Sequence, residues 1–585
     1  MKDQLQDLFL KSLEQLKVEG ILSEDQQFNL IFERTKQKEH GDFATNIALM
    51  LAKTAKMNPR DLAGKIVQSL PESSLIQKVD IAGPGFINLF VAEEAKFSVI
   101  DAIKELGEAY GFAEKNSQNH RILLEFVSAN PTGPLHVGHG RGAAYGDALG
   151  RLLAAAGYDV HKEYYVNDAG RQMDILATSV WLRYLQNTGV DFTLPDNCYQ
   201  GQYVNDMGVE LFSKYEGQFN LEIEKLNETI MDKEPEAALD SLIVLAKSTL
   251  GEEVYEEFFQ LALQTILTDI EKDLSDFNVN YDEWFSERSL FENIAKTDIN
   301  HVIQAIEKLK ATDFLYEKKG AWWFKSTEFG DEKDRVVLRE NGAPTYFASD
   351  IAYHLNKLSR GFDTCINIWG ADHHGYIPRV KAALEALSED SNKLIVLLVQ
   401  FAILYQGGEK MPMSTRSGKF VTLADLRKEV GNDAARFYYV QRKPEQHMDF
   451  DLDLAKSQSN ENPVYYVQYA HARICQVFAA AKERGIEISE VNEYSQLTTD
   501  AEDTLLTVLA KFPEKVLTAA NAYEPHQITY YLRDLANSLH GYYNACKFLD
   551  SGAELRDQRM ALLFVTKQVL QNGLRLLGVT APEKM

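Results

Sequence analysis

The fold is decided by the stretch Asn130-Pro131-Thr132-Gly133-Pro134-Leu135-His136-Val137-Gly138-His139-Gly140. A short apolar run at 122–127 precedes it and is typical of a buried strand, while a helical pattern follows from about 138 to 156. Proline and glycine end the apolar run, so two histidines stand where a strand turns into a helix. The stretch therefore predicts a strand–turn–helix unit that carries imidazoles at its turn.

Such a turn can bind phosphate, because backbone N–H groups and the positive end of a helix attract anions. The glycines of the turn would let a nucleotide approach closely. The imidazoles of His136 and His139 can donate hydrogen bonds to phosphate oxygens as charge moves in the reaction. Two alternatives stay open here. The histidines could simply satisfy the turn, or they could converge with His373 and His374 on zinc, although no Cys or HExxH spacing accompanies them.

Strand and helix patterns alternate beyond the turn. A strand is predicted at 160–166 and a helix at about 169–185, which gives the strand–helix–strand–helix order of a parallel α/β domain. The alternation stops over about 201–310, where helical patterns rich in Glu and Lys predict an insertion into this domain. It resumes with short strand patterns at 321–325, 335–339, 365–369 and 394–404.

The two ends of the chain differ from this middle part. Residues 1–112 mix helical patterns with a strand-like run at 85–91, which predicts an α+β domain. Near the other end, apolar positions at i, i+3 and i+4 predict a bundle of helices only. We therefore expect domains at 1–112, 113–452 and 453–585, with the helical insertion inside the second.

Composition excludes several classes of protein. The 585 residues carry 61 Lys and Arg against 86 Asp and Glu, and the net charge of −25 disfavours indiscriminate binding to polyanions but leaves room for a local basic face. The four cysteines form no CxxC pair, so no disulfide framework is expected. The start lacks a signal-peptide core, and the most apolar stretch, 394–405, is shorter than the ~20 residues that span a bilayer. We expect a cytoplasmic protein without a membrane partner.

A second candidate stretch is Met411-Pro412-Met413-Ser414-Thr415-Arg416-Ser417-Gly418-Lys419. A mobile loop with small polar residues and cations suits closure over a leaving pyrophosphate. Basic surface loops are common, so this stretch has little weight alone. Its position after the histidine turn, on a divided α/β domain, makes the combination far more specific.

With this combination the chain resembles the class I aminoacyl-tRNA synthetases and, within that class, arginyl-tRNA synthetases of bacterial type. The segment 136–139 matches the "HIGH" signature of the class, and 412–416 is a degenerate "KMSKS". Further segments that carry the resemblance are spread over the chain, at 40–46, 125–130, 167–172, 346–350, 369–374 and 576–585. The resemblance is weakest in the insertion.

The resemblance implies a Rossmann-like catalytic domain of α/β class, an α+β N-terminal domain and an all-α C-terminal anticodon-binding bundle. It implies a ligase that activates L-arginine with ATP and Mg2+ and transfers it to the 3' end of tRNA(Arg). We expect a monomer. The alternatives are a class I synthetase for another amino acid and a zinc hydrolase built on the histidine pairs.

Arginine is a planar cation with five donors, which carboxylates can meet with paired hydrogen bonds. By resemblance, Glu125 and Asp350 would take its guanidinium group. Asn130 would hold the backbone groups of the amino acid, and Tyr346 would pack along its stem. Asp372 is a looser candidate for the same pocket.

The resemblance also assigns the nucleotide site. The ATP-binding candidates are His136, His139, Gly138, Gly140, Met413 and Ser414. The catalytic set is His136, His139, Arg416 and Lys419. Arg416 and Lys419 are included because the second-signature lysine of the family is replaced here by Thr415, so another cation must face the pyrophosphate.

Candidates for tRNA binding come from the two ends of the chain. Aromatic side chains beside cations can stack on splayed bases and contact phosphates. Tyr469, Tyr543 and the terminal Met585 are the candidates in the helical bundle, and Asn46 is the candidate in the N-terminal domain. For each tyrosine, packing in the core is the alternative.

Overall fold

The computed structural model describes residues 2–35, 37–295, 297–411 and 421–585. The N-terminal domain contains, in chain order, α1 (Lys2–Val18), β1 (Glu33–Arg34), β2 (Phe43–Thr45), α2 (Ile47–Leu51), α3 (Pro59–Gln68), β3 (Ile76–Ala82), β4 (Phe86–Val91) and α4 (Glu93–Leu106). Its strands form an antiparallel sheet in the order β1-β2-β4-β3. Leu5, Phe9 and Leu13 recur at every fourth position of α1 and are fully buried, so this face of the helix supplies the core of an α+β domain.

The central part of the chain supplies all the remaining strands of the described residues. Its elements are β5 (Arg121–Glu125), α5 (Val137–Ala155), β6 (Asp159–Val166), α6 (Arg171–Asn187), α7 (Gln202–Tyr215), α8 (Ile223–Ile230), α9 (Pro235–Asp276), β7 (Glu283–Ser286), α10 (His301–Lys310), β8 (Leu315–Lys318), β9 (Ala321–Phe324), β10 (Arg335–Leu338), α11 (Tyr346–Ser359), β11 (Thr364–Gly370), α12 (Ile377–Ala386), β12 (Leu394–Val399), β13 (Ala402–Gln406), β14 (Glu409–Lys410), α13 (Leu423–Val430), α14 (Asn432–Val440), β15 (Met448–Asp451) and α15 (Leu452–Lys456).

A parallel sheet of five strands, in the order β12-β11-β5-β6-β7, forms the centre of this domain. The middle strand β5 ends at Glu125, which lies opposite Asn367 of β11 on one side and Glu163 of β6 on the other. Because all five strands run the same way, the loops that follow them leave from one edge of the sheet, where α/β proteins bind ligands. We call this edge the carboxyl edge.

The helical insertion predicted over 201–310 is interrupted by a strand. Helices α7, α8 and α9 fill its first part, and α9 bends at Gly251, which has a φ of 74°. Strand β7 then joins the edge of the parallel sheet. Its four residues, Glu-Trp-Phe-Ser, contain too short an apolar run to indicate a buried strand from sequence.

The strands predicted at 321–325 and 335–339 are present, but they lie outside the parallel sheet. They form a separate antiparallel sheet in the order β10-β9-β8. The predicted run at 394–404 is two strands: β12 belongs to the parallel sheet, whereas β13 pairs with β14 and β15. The hydrophobic pattern of a segment indicates that it forms a strand, but it does not determine which other strand that strand pairs with.

The rest of the chain is helical. It contains α16 (Pro463–Glu483), α17 (Asp500–Leu509), α18 (Phe512–Asn521), α19 (His526–Ala545) and α20 (Ala553–Leu576). Apolar side chains of these helices share one buried core with the parallel sheet. Across the described ranges, no helix has the length and apolar character needed to cross a membrane.

Arg436 of α14 ties three parts of the chain together from a fully buried position. Its guanidinium donates to the carboxylate of Asp147 on α5 at 2.6 Å, to the carbonyl of Leu577 at 2.9 Å and to the carbonyl of Phe277 at 2.7 Å. Burial alone would raise the pKa of Asp147, but Arg436 and two further cations lower it. The helix that starts at the histidine turn is thereby fixed to the carboxy-terminal tail.

Replacing Asp147 with Asn should strongly destabilise this junction. The change leaves the Arg436 charge buried without its counter-ion, which lowers the free energy of unfolding by about 3–5 kcal/mol. Urea denaturation followed by tryptophan fluorescence would measure the loss. Asp269→Asn, at an exposed position of α9, is the control and should change stability by less than about 0.5 kcal/mol. Equal stability of the two variants would contradict the assigned role of the pair.

Candidate active site

The histidine turn closes on itself at the start of α5. The Nδ1 atom of His136 accepts from the backbone N–H of Gly138 at 3.0 Å, and Nδ1 of His139 accepts from the backbone N–H of His136 at 3.3 Å. The two rings stack with their centroids 3.7 Å apart. Because Nδ1 accepts in each ring, the proton of each neutral imidazole lies on Nε2. Each ring thus carries a donor of the kind that a phosphate oxygen accepts.

Burial keeps both imidazoles neutral. It lowers the pKa of His136, and burial together with the neighbouring His136 lowers the pKa of His139 to about 3. At neutral pH these rings therefore act as hydrogen-bond donors and carry no charge of their own. They suit an active site that stabilises developing phosphate charge through fixed donors.

Packing explains both glycines of the turn. A Cβ at Gly140 would lie 2.8 Å from the ring of Tyr439 and 2.9 Å from Leu423, so protein atoms fill that space. A Cβ at Gly138 would lie 3.0 Å from Phe401, a side chain that is 46% exposed. The predicted contact of either glycine with a nucleotide stays a prediction.

The second signature lies outside the described residues, and with it the candidates Met413, Ser414, Arg416 and Lys419. The chain that follows it returns directly to the histidine turn. The N–H of Val137 donates to the carbonyl of Val421 at 3.2 Å, and the N–H of Leu423 donates to the carbonyl of Leu135 at 2.8 Å. The segment that follows the second stretch is thus hydrogen-bonded to the segment that carries the first.

Glu125, at the end of β5, has a cation as its partner. It is only 6% exposed. Lys357 of α11 donates to its Oε2 atom, and Ser128 Oγ donates to its Oε1 atom at 3.1 Å. Burial alone would raise the pKa of Glu125, but the Lys357 ammonium outweighs it and lowers the pKa. Sequence reasoning missed Lys357, because a lysine on an amphipathic helix is usually solvated.

Asp350 and Glu287 lie at the same edge, and hydroxyl groups contact them. Tyr376 donates to Asp350, and the hydroxyl of Tyr165 lies close to Glu287, which is 3% exposed. The buried Oε2 atom of Glu287 has no hydrogen-bond partner in the described part of the chain. Burial raises the pKa of each carboxyl to about 7, and the nearby Asp350 adds to the effect on Glu287. These carboxyls suit a cationic ligand that would restore their charge.

Glu287 was not predicted as a site residue. It follows β7 directly, inside the segment interpreted as a helical insertion. A short strand at 283–286 followed by an acid could have indicated it, since ligands gather at the ends of parallel strands.

Of the other predicted arginine contacts, two come together and one does not. Asn130 is exposed and accepts from Asn167 Nδ2 at 3.1 Å. Tyr346 is 57% exposed at the start of α11, and a Cβ at Gly170 would lie 3.7 Å from its ring. These two side chains therefore border the same loop after β6. Asp372 is exposed and follows β11. Among the ion pairs of the described residues, its carboxylate pairs only with the ring of its neighbour His373, at 3.6 Å.

The histidines of the zinc alternative do not form a ligand cluster within the described ranges. There, the group of possible metal ligands within 4.8 Å of one another is His161, Glu163 and Glu283. Arg360 forms ion pairs with Glu163 at 2.6 Å and Glu283 at 2.9 Å. A guanidinium group thus already neutralises these carboxylates.

Tyr469 and Tyr543 come together on one face of the helical bundle. The Arg473 guanidinium lies 5.0 Å from the ring centroid of Tyr469 and 4.2 Å from that of Tyr543. The ring of His540 stacks on Tyr469 at 5.8 Å. We call these four residues the aromatic face. Both tyrosines are partly exposed, so the face can offer stacking surfaces and a cation together.

The remaining tRNA candidates lie at the two ends of the chain. Met585 is 47% exposed at the end of the tail, which is anchored where the N–H of Thr580 donates to Asp433 at 3.0 Å. Asn46 is exposed at the start of α2 and does not cap that helix with its side chain. Both positions are accessible to a large partner.

The parallel sheet and the histidine turn at its carboxyl edge define a class I aminoacyl-tRNA synthetase. Family models match most of the chain. They are the arginyl tRNA synthetase N terminal domain at 3–91, the catalytic domain of class I (R) tRNA synthetases at 103–451 and the DALR anticodon binding domain at 467–585.

Full-length relatives agree with these matches. The chain is 56% identical to the arginine–tRNA ligase of Hydrogenovibrio crunogenus and 55% identical to that of Thioalkalivibrio sulfidiphilus, each over 100% of both chains. The Thermus thermophilus arginyl-tRNA synthetase structure shares the fold, with a TM-score of 0.71 at 24% identity over 100% of both chains. The chain belongs to the arginyl-tRNA synthetase family, which confirms the resemblance and the predicted fold class.

The neutral state of His139 has a measurable consequence for stability. Folding lowers its pKa from 6.5 to about 3, so below pH 6.5 the unfolded chain binds more protons and stability falls as pH falls toward 3. His139→Gln removes this loss. Between about pH 7.5 and pH 5.5, its melting temperature should fall less than that of the wild type.

The matched control is His447→Gln, at an exposed histidine. It should lose as much stability as the wild type over the same interval. If His139→Gln did the same, the imidazole would not be held neutral by the fold.

Proposed function

We propose that the carboxyl edge of the parallel sheet carries out both steps of arginine charging in one cleft. The observation that supports this most is the position of Asp350 and Glu287, two largely desolvated carboxyls held by hydroxyl groups at the edge that carries the histidine turn. An arginine side chain that meets these carboxyls would place its own carboxylate toward the turn. The activity itself follows from the family: the chain uses ATP to ligate arginine to tRNA(Arg).

The acidic slot accounts for the choice of arginine. A guanidinium group is planar and always charged, and it can donate paired hydrogen bonds to two carboxylates. Glu125 adds little net charge to the slot, because Lys357 neutralises it. Lysine would offer a single ammonium on a differently shaped stem, which cannot satisfy both carboxyls in the same way.

In the first step, a carboxylate oxygen of arginine attacks the α-phosphorus of ATP, and the bond to the pyrophosphate oxygen breaks. His136 and His139 would donate from Nε2 to phosphate oxygens as charge develops. Arg416 and Lys419 are proposed to face the leaving pyrophosphate. Mg2+ would enter bound to ATP, because phosphate oxygens are ligands that it prefers. The histidine turn offers hydrogen-bond donors, which do not bind a metal ion.

In the second step, a terminal ribose hydroxyl of the tRNA attacks the carbonyl of the adenylate, and AMP leaves. The aromatic face would bind anticodon bases by stacking, with Met585 as a further tRNA contact and Asn46 toward the outer part of the tRNA. Positioning of the reactants supplies most of the rate enhancement in such transfers.

We also propose that the enzyme works as a cytoplasmic monomer. The described cysteines are all free thiols, which suits a reducing compartment. Large exposed apolar side chains such as Val18, Phe86, Val244 and Phe564 fall on four separate elements. Light scattering after gel filtration should give a mass near 66.2 kDa, and a mass near twice that value would refute the monomer.

Arginine-dependent exchange of pyrophosphate into ATP tests the slot. The wild type should exchange with arginine and not with lysine, with tRNA present and absent as separate conditions. Asp350→Asn should reduce kcat/KM for arginine about 100-fold, because a charge-assisted pair is lost. Asp269→Asn, at an exposed position of α9, is the control and should change it less than twofold, within about 0.4 kcal/mol. Equal exchange with lysine would refute the assignment of the slot.

Tyr543→Ala tests the aromatic face. Loss of a stacking ring should raise the KM for tRNA by about tenfold, since one base stack contributes about 1–3 kcal/mol. The KM values for arginine and ATP should not change. Tyr530→Ala, which removes a 47% exposed ring elsewhere on α19, is the control, and a similar rise there would contradict a local contact.

A further inference from the structure

Lys357 is a fully buried cation beneath the proposed arginine slot. Its side chain is 0% exposed, and it follows Asp350 by two turns of α11. Its ammonium contacts Glu125 Oε2, Asn367 Oδ1 at 2.8 Å and the face of the Tyr353 ring, 4.2 Å from the centroid. Two of its three N–H donors make hydrogen bonds, and its full burial keeps the ammonium away from a substrate. Lys357 can therefore affect the reaction only indirectly, through the side chains that it contacts.

One arm of this network runs from Lys357 to the turn after β5. Glu125 accepts from Lys357 and from Ser128 Oγ, which in turn accepts from the backbone N–H of Tyr165 at 3.1 Å. Val127 and Ser128 have φ angles of 67° and 43°, a conformation that is strained for a β-branched residue. Such a backbone persists only where its surroundings hold it in place. The pair of Glu125 and Lys357 is part of that support.

The second arm runs from Lys357 to the start of α11. Asn367 accepts from Lys357 through Oδ1, and its Nδ2 donates to His354 Nε2 at 3.0 Å. The Nδ1–H of His354 then donates to the backbone carbonyl of Asp350 at 2.7 Å. Burial, with the Lys357 charge nearby, lowers the pKa of His354 to about 4. The ring therefore stays neutral, and the direction of each hydrogen bond is fixed at neutral pH.

We propose that Lys357 is a positioning residue for arginine activation, which sets the separation between the turn that presents Asn130 and the helix that presents Asp350. The proposal rests on the proposed function, because it takes these two residues as contacts to opposite ends of one arginine. An apolar side chain of similar volume would fill the same space, so packing alone does not require a charge here. The ammonium supplies directional bonds that hold both arms in one geometry.

Lys357→Met tests the proposal by removing the charge at nearly constant volume. The KM for arginine in pyrophosphate exchange should rise at least about tenfold and kcat should fall, while the KM for ATP stays within about twofold. Lys357→Gln keeps an N–H donor for Glu125 and should raise the arginine KM less. An unchanged arginine KM in either variant would overturn the proposal. If the Lys357→Met protein does not fold, the arginine KM of Lys357→Gln decides the question.

The double variant Lys357→Met with Glu125→Gln separates positioning from stability. Replacing both partners of a buried pair with neutral side chains should return the melting temperature toward that of the wild type. The arginine KM should remain raised, because the two arms are still unlinked. Recovery of both the melting temperature and the arginine KM would assign Lys357 a packing role only.

Arg559→Met provides the matched control. Arg559 pairs with Glu502 at 2.9 Å in the helical bundle, with side chains 10% and 0% exposed. Its loss should lower the melting temperature and leave the arginine KM unchanged; an equal rise of arginine KM there would overturn the proposal. A wild type without arginine-dependent exchange even when tRNA is present would refute the proposed function, whereas an active wild type with unaltered Lys357 variants would refute the positioning role alone.

Discussion

Parallel pairing of β5 with β11 and β6 is the constraint on which the rest of this structure depends. The register sets Glu125 opposite Asn367, so that one ammonium from α11 reaches both. A shift of one residue would turn alternate side chains to the other face of the sheet and would separate these partners. The same parallel arrangement brings the loops after β5, β6, β7 and β11 to one edge. The histidine turn, the acidic slot and the loop that borders it meet there for that reason.

Buried charge is concentrated where different parts of the chain must keep a fixed relation. The pair of Asp147 and Arg436 joins the histidine helix to the carboxy-terminal tail, and the pair of Glu125 and Lys357 joins β5 to α11. Inside the protein such pairs are strongly directional, whereas exposed pairs contribute little. In contrast, the carboxyls of Asp350 and Glu287 are contacted by hydroxyl groups, which suits a slot that a cationic substrate completes.

How far sequence could anticipate the site differs from residue to residue. Both histidines were predicted at a strand–helix turn, because proline and glycine mark that turn and the spacing is visible in the chain. Glu287 was missed because its strand is only four residues long. Lys357 was missed because an amphipathic pattern does not reveal whether a helical lysine faces solvent or a carboxylate on another strand. The helical insertion was predicted over 201–310 without an interruption, because four residues are too few for β7 to be recognised as a strand from sequence.

The sequence alone determined the class of fold, the order of its domains and the residue types at the histidine turn, because these follow from local pattern and from spacing along the chain. Only the tertiary structure decided which strands share a sheet, that Glu125 has a resident counter-ion, and that Tyr469 and Tyr543 lie on one face with Arg473 between them. The physical reason is that each of these contacts joins residues far apart in the chain. Its free energy depends on burial and on a geometry that no local segment contains.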